Sequence, residues 1–154
     1  MKVLGFNFTK ITAERDKDSK ADGSINTNVE FLEIEKDNIE ILRDSEIIRV
    51  SFKFSIDYKD APGKEKIKGE SKKDKTTAQI SFEGLIILSL EKENSKEILK
   101  NWKNKIISQD LSSFLMNFIL AKCSIKALTL EQELSLPAHF PLPRVDLNKV
   151  LSKK

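Results

Sequence analysis

The chain has 154 residues, 33% charged and 39% hydrophobic, with nine Phe and a formal net charge of +3. That length suits one α+β domain over residues 1–154, which can bury roughly two thirds of its unfolded surface without staples, and the apolar share is too high for a disordered chain. The single Cys123 excludes an internal disulfide and fits a reducing compartment. No stretch of about eighteen uncharged apolar residues occurs, and the first residues lack a signal-peptide pattern, so a cytoplasmic protein with no membrane insertion is expected.

Residues 2–15 alternate loosely, with Phe6 and Phe8 on one face and Asn7, Thr9 and Ile11 on the other, which predicts a half-buried strand. Residues 16–24 (DKDSKADGS) supply turn chemistry. From Ile25 to Leu42 strand character returns through Val29, Phe31, Leu32 and Ile34, but the alternation slips between odd and even positions, as a β-bulge would cause. Residues 43–46 form the next predicted turn.

Ile48, Val50, Phe52, Phe54, Ile56 and Tyr58 stand at strict period two opposite Arg49, Ser51, Lys53, Ser55, Asp57 and Lys59, a strand with one wet face. Burying those six side chains is worth about 10 kcal/mol or more, so the stripe must be covered. Residues 60–75 contain Pro62-Gly63 and Gly69 among charges and read as a long hairpin connection. Ala78, Ile80, Phe82, Gly84, Ile86, Leu88 and Leu90 then repeat the same period, which predicts an antiparallel partner strand. Leu85 and Ile87 point to its other face, where a subunit or partner should be sought.

After Glu91 the period changes. Asn94 or Ser95 can cap a helix whose apolar side is Ile98, Leu99, Trp102 and Ile106. A second helix is predicted from Asp110 or Leu111 through Phe114, Leu115, Phe118, Ile119, Ile125 and Leu128, with Met116, Leu120, Ala121 and Cys123 carrying apolar character far enough round to predict burial on more than one side. Residues 136–145 hold three of the four prolines, which breaks the helix and predicts extended backbone, and residues 146–154 form a short final helix with Leu147, Val150 and Leu151 on one side. The whole reads as a four-stranded antiparallel sheet with two helices packed on it.

Catalytic and metal chemistry are poorly supplied. One His139 and one Cys123 show no spacing that pairs them, and no CxxC, HxxxH or Ca²⁺-loop pattern occurs, so neither catalytic residues nor a metal or cofactor is expected. The glycines Gly5, Gly23, Gly63, Gly69 and Gly84 make neither GxGxxG nor GxxxxGK, which argues against nucleotide hydrolysis. Residues 64–75 carry six Lys against two Glu and one Asp, a surplus of three that accounts for the net charge. A nucleic-acid-binding module using that loop is an alternative, but it has no Arg and no aromatic residue for stacking, so a solvated hairpin tip is the better reading. What remains is apolar surface in excess, which favours binding or self-association, including an oligomeric scaffold or adaptor.

Three stretches carry a family resemblance. Ile80-Ser-Phe-Glu-Gly84 is similar to the last strand of the SecB protein-export chaperones, the helix from Leu111 to Leu128 sits where that family has its first long helix, and Phe140-Pro-Leu-Pro-Arg-Val-Asp-Leu-Asn148 is similar to the segment leading into its last helix. The resemblance implies a SecB-like holdase that binds unfolded or nascent polypeptides in apolar grooves without a cofactor. Phe6, Phe8, Phe31, Trp102, Phe140 and Leu142 are then the candidate client contacts, and Leu85 and Ile87 the candidate oligomer interface. Family members are strongly acidic, which supports docking to the export motor, and form tetramers from paired protomers. This chain is slightly basic and short after Arg144, so a homo-oligomer is expected as a dimer or a tetramer, with a role apart from export equally compatible.

Overall fold

The structure is a computed structural model, and it describes residues 1–37, 45–62 and 75–143. Four strands, β1 (Lys2–Arg15), β2 (Ile25–Asp37), β3 (Ser45–Lys59) and β4 (Thr76–Glu91), precede two helices, α1 (Lys92–Trp102) and α2 (Gln109–Glu133). The strands form one antiparallel sheet in the order β1-β4-β3-β2, as the α+β reading requires.

The centre of the sheet is the pair of period-two stripes. Ile48 faces Leu88, Phe54 faces Phe82, Ile56 faces Ile80 and Tyr58 faces Ala78. Because paired residues share a face, both stripes point to the side that the helices cover, and the six residues from Ile48 to Tyr58 are fully buried. Gly84 interrupts the β4 stripe for a steric reason: a Cβ there would lie 2.5 Å from the Asn7 carbonyl oxygen and 2.7 Å from the Phe52 ring. The missing side chain lets that ring lie flat over the strand.

The edge strands reach the same face only by bulging. In β2 the register slips between Phe31 and Glu33, so Val29 and Phe31, opposite Phe54 and Phe52, are followed on the core side by Ile34 opposite Val50. This is the bulge the broken alternation predicts. In β1 slips occur between Val3 and Gly5 and between Phe8 and Lys10. The second of these corrects the simple alternation, because it brings Ile11 opposite Phe82 and so onto the face of Phe6 and Phe8.

Residues 16–24 do more than turn the chain. They carry it from one sheet edge to the other, past the ends of β3 and β4. Asp60, just after β3, clamps this crossover: its Oδ1 accepts from the Ala21 and Lys20 backbone N–H groups at 2.7 and 3.0 Å, and from the Ser19 and Thr77 hydroxyls at 3.1 Å each. The Ala21 N–H leads the donors that hold the Asp60 carboxyl below the usual carboxylate range. Gly23 N–H donates to the Lys59 carbonyl at 2.9 Å, an approach that leaves no room for a Cβ.

Both helices depart from the sequence reading at their ends. β4 passes into α1 without a loop, so the cap position falls on Glu91, and Ser95 lies buried inside the helix. The helix stops at Trp102, which leaves Ile106 outside it and exposed while Ile107 packs on the core. α2 begins at Gln109 and runs to Glu133, five residues beyond Leu128. Its end is a Schellman closure: Ser135 N–H reaches the Gln132 carbonyl, Leu136 N–H reaches that of Glu131, and Ser135 takes φ 53°. The closure turns Leu136 into the core.

Candidate functional site

α2 decides where the apolar surface lies. Its buried residues are Leu111, Leu115, Ile119, Cys123, Ala127 and Glu131, every fourth position along the helix. A row at that spacing is a single ridge packed on the sheet. Burial pushes the Cys123 thiol up to about 12, so it is an inert core group. The expectation of burial on more than one side is corrected: Phe114, Met116 and Leu120 are each 37% exposed and Ile125 is 73% exposed. By length and composition α2 is apolar enough to cross a bilayer, yet this ridge packs on the sheet and Lys122 and Lys126 interrupt its outer surface.

Two runs of rings lead from the core to the surface, one along each flank of α2. On the β1 side, Phe82 meets Phe8 at 5.2 Å, Phe8 meets Phe6 at 5.0 Å, Phe6 meets Phe118 at 5.7 Å, and Phe118 stacks with Phe114 at 6.4 Å. On the other flank, Phe54 meets the His139 ring at 6.3 Å, and His139 meets Phe140 at 4.8 Å, with Leu142 exposed beyond it. Rings in these offset and edge-on arrangements gain about 0.5–1.5 kcal/mol per pair beyond area burial, and they present rigid apolar edges to solvent.

The second run is fastened by polar groups. Glu131 is buried, and its Oε1 accepts from the Tyr58 hydroxyl at 2.5 Å and from the His139 backbone N–H at 3.1 Å, with His139 Nδ1 at 2.8 Å. His139 Nε2 lies 3.1 Å from the Ser124 hydroxyl. Desolvation, and then the Glu131 carboxylate, hold the Tyr58 phenol protonated far above its usual range. Hydroxyl, imidazole and carboxylate thus stand in the order that a nucleophilic serine needs. Ser124, however, is in the interior of α2, where the neighbouring backbone N–H groups are spent on the helix, so no donors await an oxyanion. The arrangement fastens a chain segment.

The six candidate client contacts fall in different places. Phe6 and Phe8 belong to the first ring run, half-buried, and Phe140 and Leu142 to the outer end of the second. Phe31 lies on β2 at the far edge of the sheet, and Trp102 ends α1 with the Lys105 ammonium 4.1 Å over its ring. The structure therefore brings four of the six to the flanks of α2 and leaves two apart. Sequence reasoning missed Phe114, Met116, Leu120 and Ile125 as surface, with Phe118 half-buried beside them. The signal was the even spread of apolar residues round α2, more than one sheet face can cover.

Leu85 and Ile87 are half-buried on the sheet face opposite the helices, beside Ser51 and Asn7, and beside Arg49 and Gly5, respectively. That face also carries Arg49 bonded to Asp37 and Glu35 at 2.7 and 3.3 Å, and Gln79 bonded to Asp57 at 2.6 Å. Among the described residues no group of three or more His, Cys, Asp or Glu could hold a metal ion. The basic loop lies outside the described residues at positions 63–74, as do the short final helix and the chain beyond Pro143.

No family model and no curated protein matches the chain. Among solved structures it is similar to a SecB-like chaperone of Mycobacterium tuberculosis, solved in complex with a peptide from an antitoxin, at 15% identity and a TM-score of 0.46 over 94% of this chain and 90% of that one.

Proposed function

We propose that the protein is a SecB-like holdase: it binds non-native polypeptides through the apolar surface on and beside α2, without catalysis. The single observation that carries this reading is a 25-residue helix with large apolar residues on both flanks and at Ile125, of which the described residues bury one ridge. A cluster of large exposed apolar side chains, as opposed to scattered single ones, marks a surface where another molecule binds. The two ring runs give it the character of a peptide groove, with fixed aromatic edges on the helix flanks and flexible Met116 exposed on the same helix. Client segments would lie along α2 against Phe6, Phe114 and Phe118 on one flank and along the other flank, where the segment bearing Phe140 and Leu142 lies, and the setting would be the cytoplasm.

The same surface supports self-association, and the two uses combine if the outer face of α2 serves the oligomer and the ring runs serve clients. Leu85 and Ile87 remain the candidate second contact between protomers. Mixing the protein with an aggregating client and following light scattering tests the holdase reading. Suppression at stoichiometric amounts is expected, and none at that ratio would reject it. Solution mass at the same concentration separates a dimer or tetramer with free grooves from an assembly that uses all its apolar faces internally.

A further inference from the structure

The chain after α2 lies against the same flank of the helix that the binding reading assigns to clients. Leu136 is buried in the core, the His139 ring packs edge-on to Phe54, and Phe140 and Leu142 emerge to solvent. Pro137, Pro141 and Pro143 keep this stretch extended and remove three backbone donors. Past the Leu136 N–H that closes α2, no backbone-to-backbone hydrogen bond ties residues 137–143 to the sheet or the helices among the described residues. The polar tethers are few. Arg15 Nη1 donates to the Leu134 and Ser135 carbonyls at 2.9 and 2.7 Å, and His139 meets Glu131 and Ser124. An extended segment held by two buried side chains, Leu136 and His139, and by no ladder opens at lower cost than a strand.

We infer that residues 136–143 are an internal occupant of the client groove, a strap that a bound polypeptide displaces. This rests on the polypeptide-binding reading. The strap also reports what the groove accepts: an extended, proline-tolerant segment with a large apolar residue in the Leu136 position and, three residues on, a side chain able to hydrogen-bond Glu131 in the His139 position. Glu131 fits a recognition role because its second oxygen, Oε2, is buried without a partner, so the carboxylate can take a further donor from an incoming chain. With the strap seated the competent state is a fraction of the population, and apparent affinity falls by that fraction.

The test uses the full-length protein, its His139→Ala variant and a labelled nonapeptide of residues 135–143 (SLPAHFPLP). Removing the ring takes away one or two hydrogen bonds to the strap and keeps the backbone donor, so the variant should bind the peptide about tenfold tighter than the wild type. In the wild type, saturating reduced and carboxymethylated lactalbumin, a permanently unfolded chain, should strip hydrogen-exchange protection from the Leu136 and His139 amides. Equal peptide affinity in two folded proteins overturns the strap. If the variant does not fold, the exchange experiment decides alone, and unchanged protection at saturation overturns the strap. Binding of the unfolded chain with that protection intact removes the strap and keeps the holdase reading. Tighter peptide binding by the variant, with neither protein holding the unfolded chain, keeps the strap and removes the holdase.

Discussion

The inner face of the β3–β4 pair and the outer surface of α2 both carry large apolar side chains, and those side chains meet opposite fates. Phe52, Phe54 and Phe82 are fully buried on the helix-covered face, whereas Phe114, Leu120 and Ile125 on the covering helix are exposed among the described residues. Strict period two commits every apolar residue of a strand to one face, so one layer of cover suffices. A helix with apolar residues on several sides cannot bury them all against one sheet, and packing a single ridge leaves the others exposed among the described residues. Apolar residues therefore mean stability in the first region and, in the function proposed above, binding in the second.

Substitutions should divide along that line. Phe54→Ala should cost the most, about 3–5 kcal/mol, because it empties a fully enclosed site between Phe82 and His139, and urea unfolding will measure it. Gly84→Ala should cost about 1–3 kcal/mol in the same assay, since the new methyl meets the Asn7 carbonyl oxygen and the Phe52 ring, and the carbonyl belongs to a paired strand.

Asp60→Asn should act through pH. The native state lowers this carboxyl's pKa, so its contribution is present above the ordinary value of 3.8 and fades as pH falls through and below it. The variant should melt below the wild type at pH 7, and the gap should close towards pH 3, followed by thermal melts across that range. A constant gap would mean that the Asp60 charge does not hold the crossover. Smallest of all, Ile125→Ser should leave stability within about 0.5 kcal/mol of the wild type. A large loss there would show that Ile125 is covered in the protein's own assembly.

Most of the sheet was legible in the sequence because a strand's period is short and its stripes run long. Ile48 to Tyr58 and Ala78 to Leu90 were placed, paired and correctly oriented from spacing alone. The β2 bulge was legible as a fault in alternation, but the β1 bulge was not, because Phe8-Thr-Lys-Ile11 reads as ordinary alternation until its partner strand sets the register. The crossover escaped too, since turn residues announce a change of direction and not its destination. At the candidate site, Phe6, Phe8, Phe140 and Leu142 were named while Phe114 and Ile125 were assigned to the interior. Apolar residues on several sides of α2 left open which ridge meets the sheet. The network of Tyr58, Glu131, His139 and Ser124 includes a hydrogen bond between positions 73 residues apart and could only be seen folded.

The central claim is that the uncovered surface of α2 holds polypeptide. A variant carrying Phe114→Ser, Leu120→Ser and Ile125→Ser, with its fold verified by circular dichroism, tests this most directly when compared with the wild type for suppression of client aggregation by light scattering. Near-complete loss of suppression at an unchanged unfolding midpoint is the predicted result. Undiminished suppression by the folded variant would contradict it.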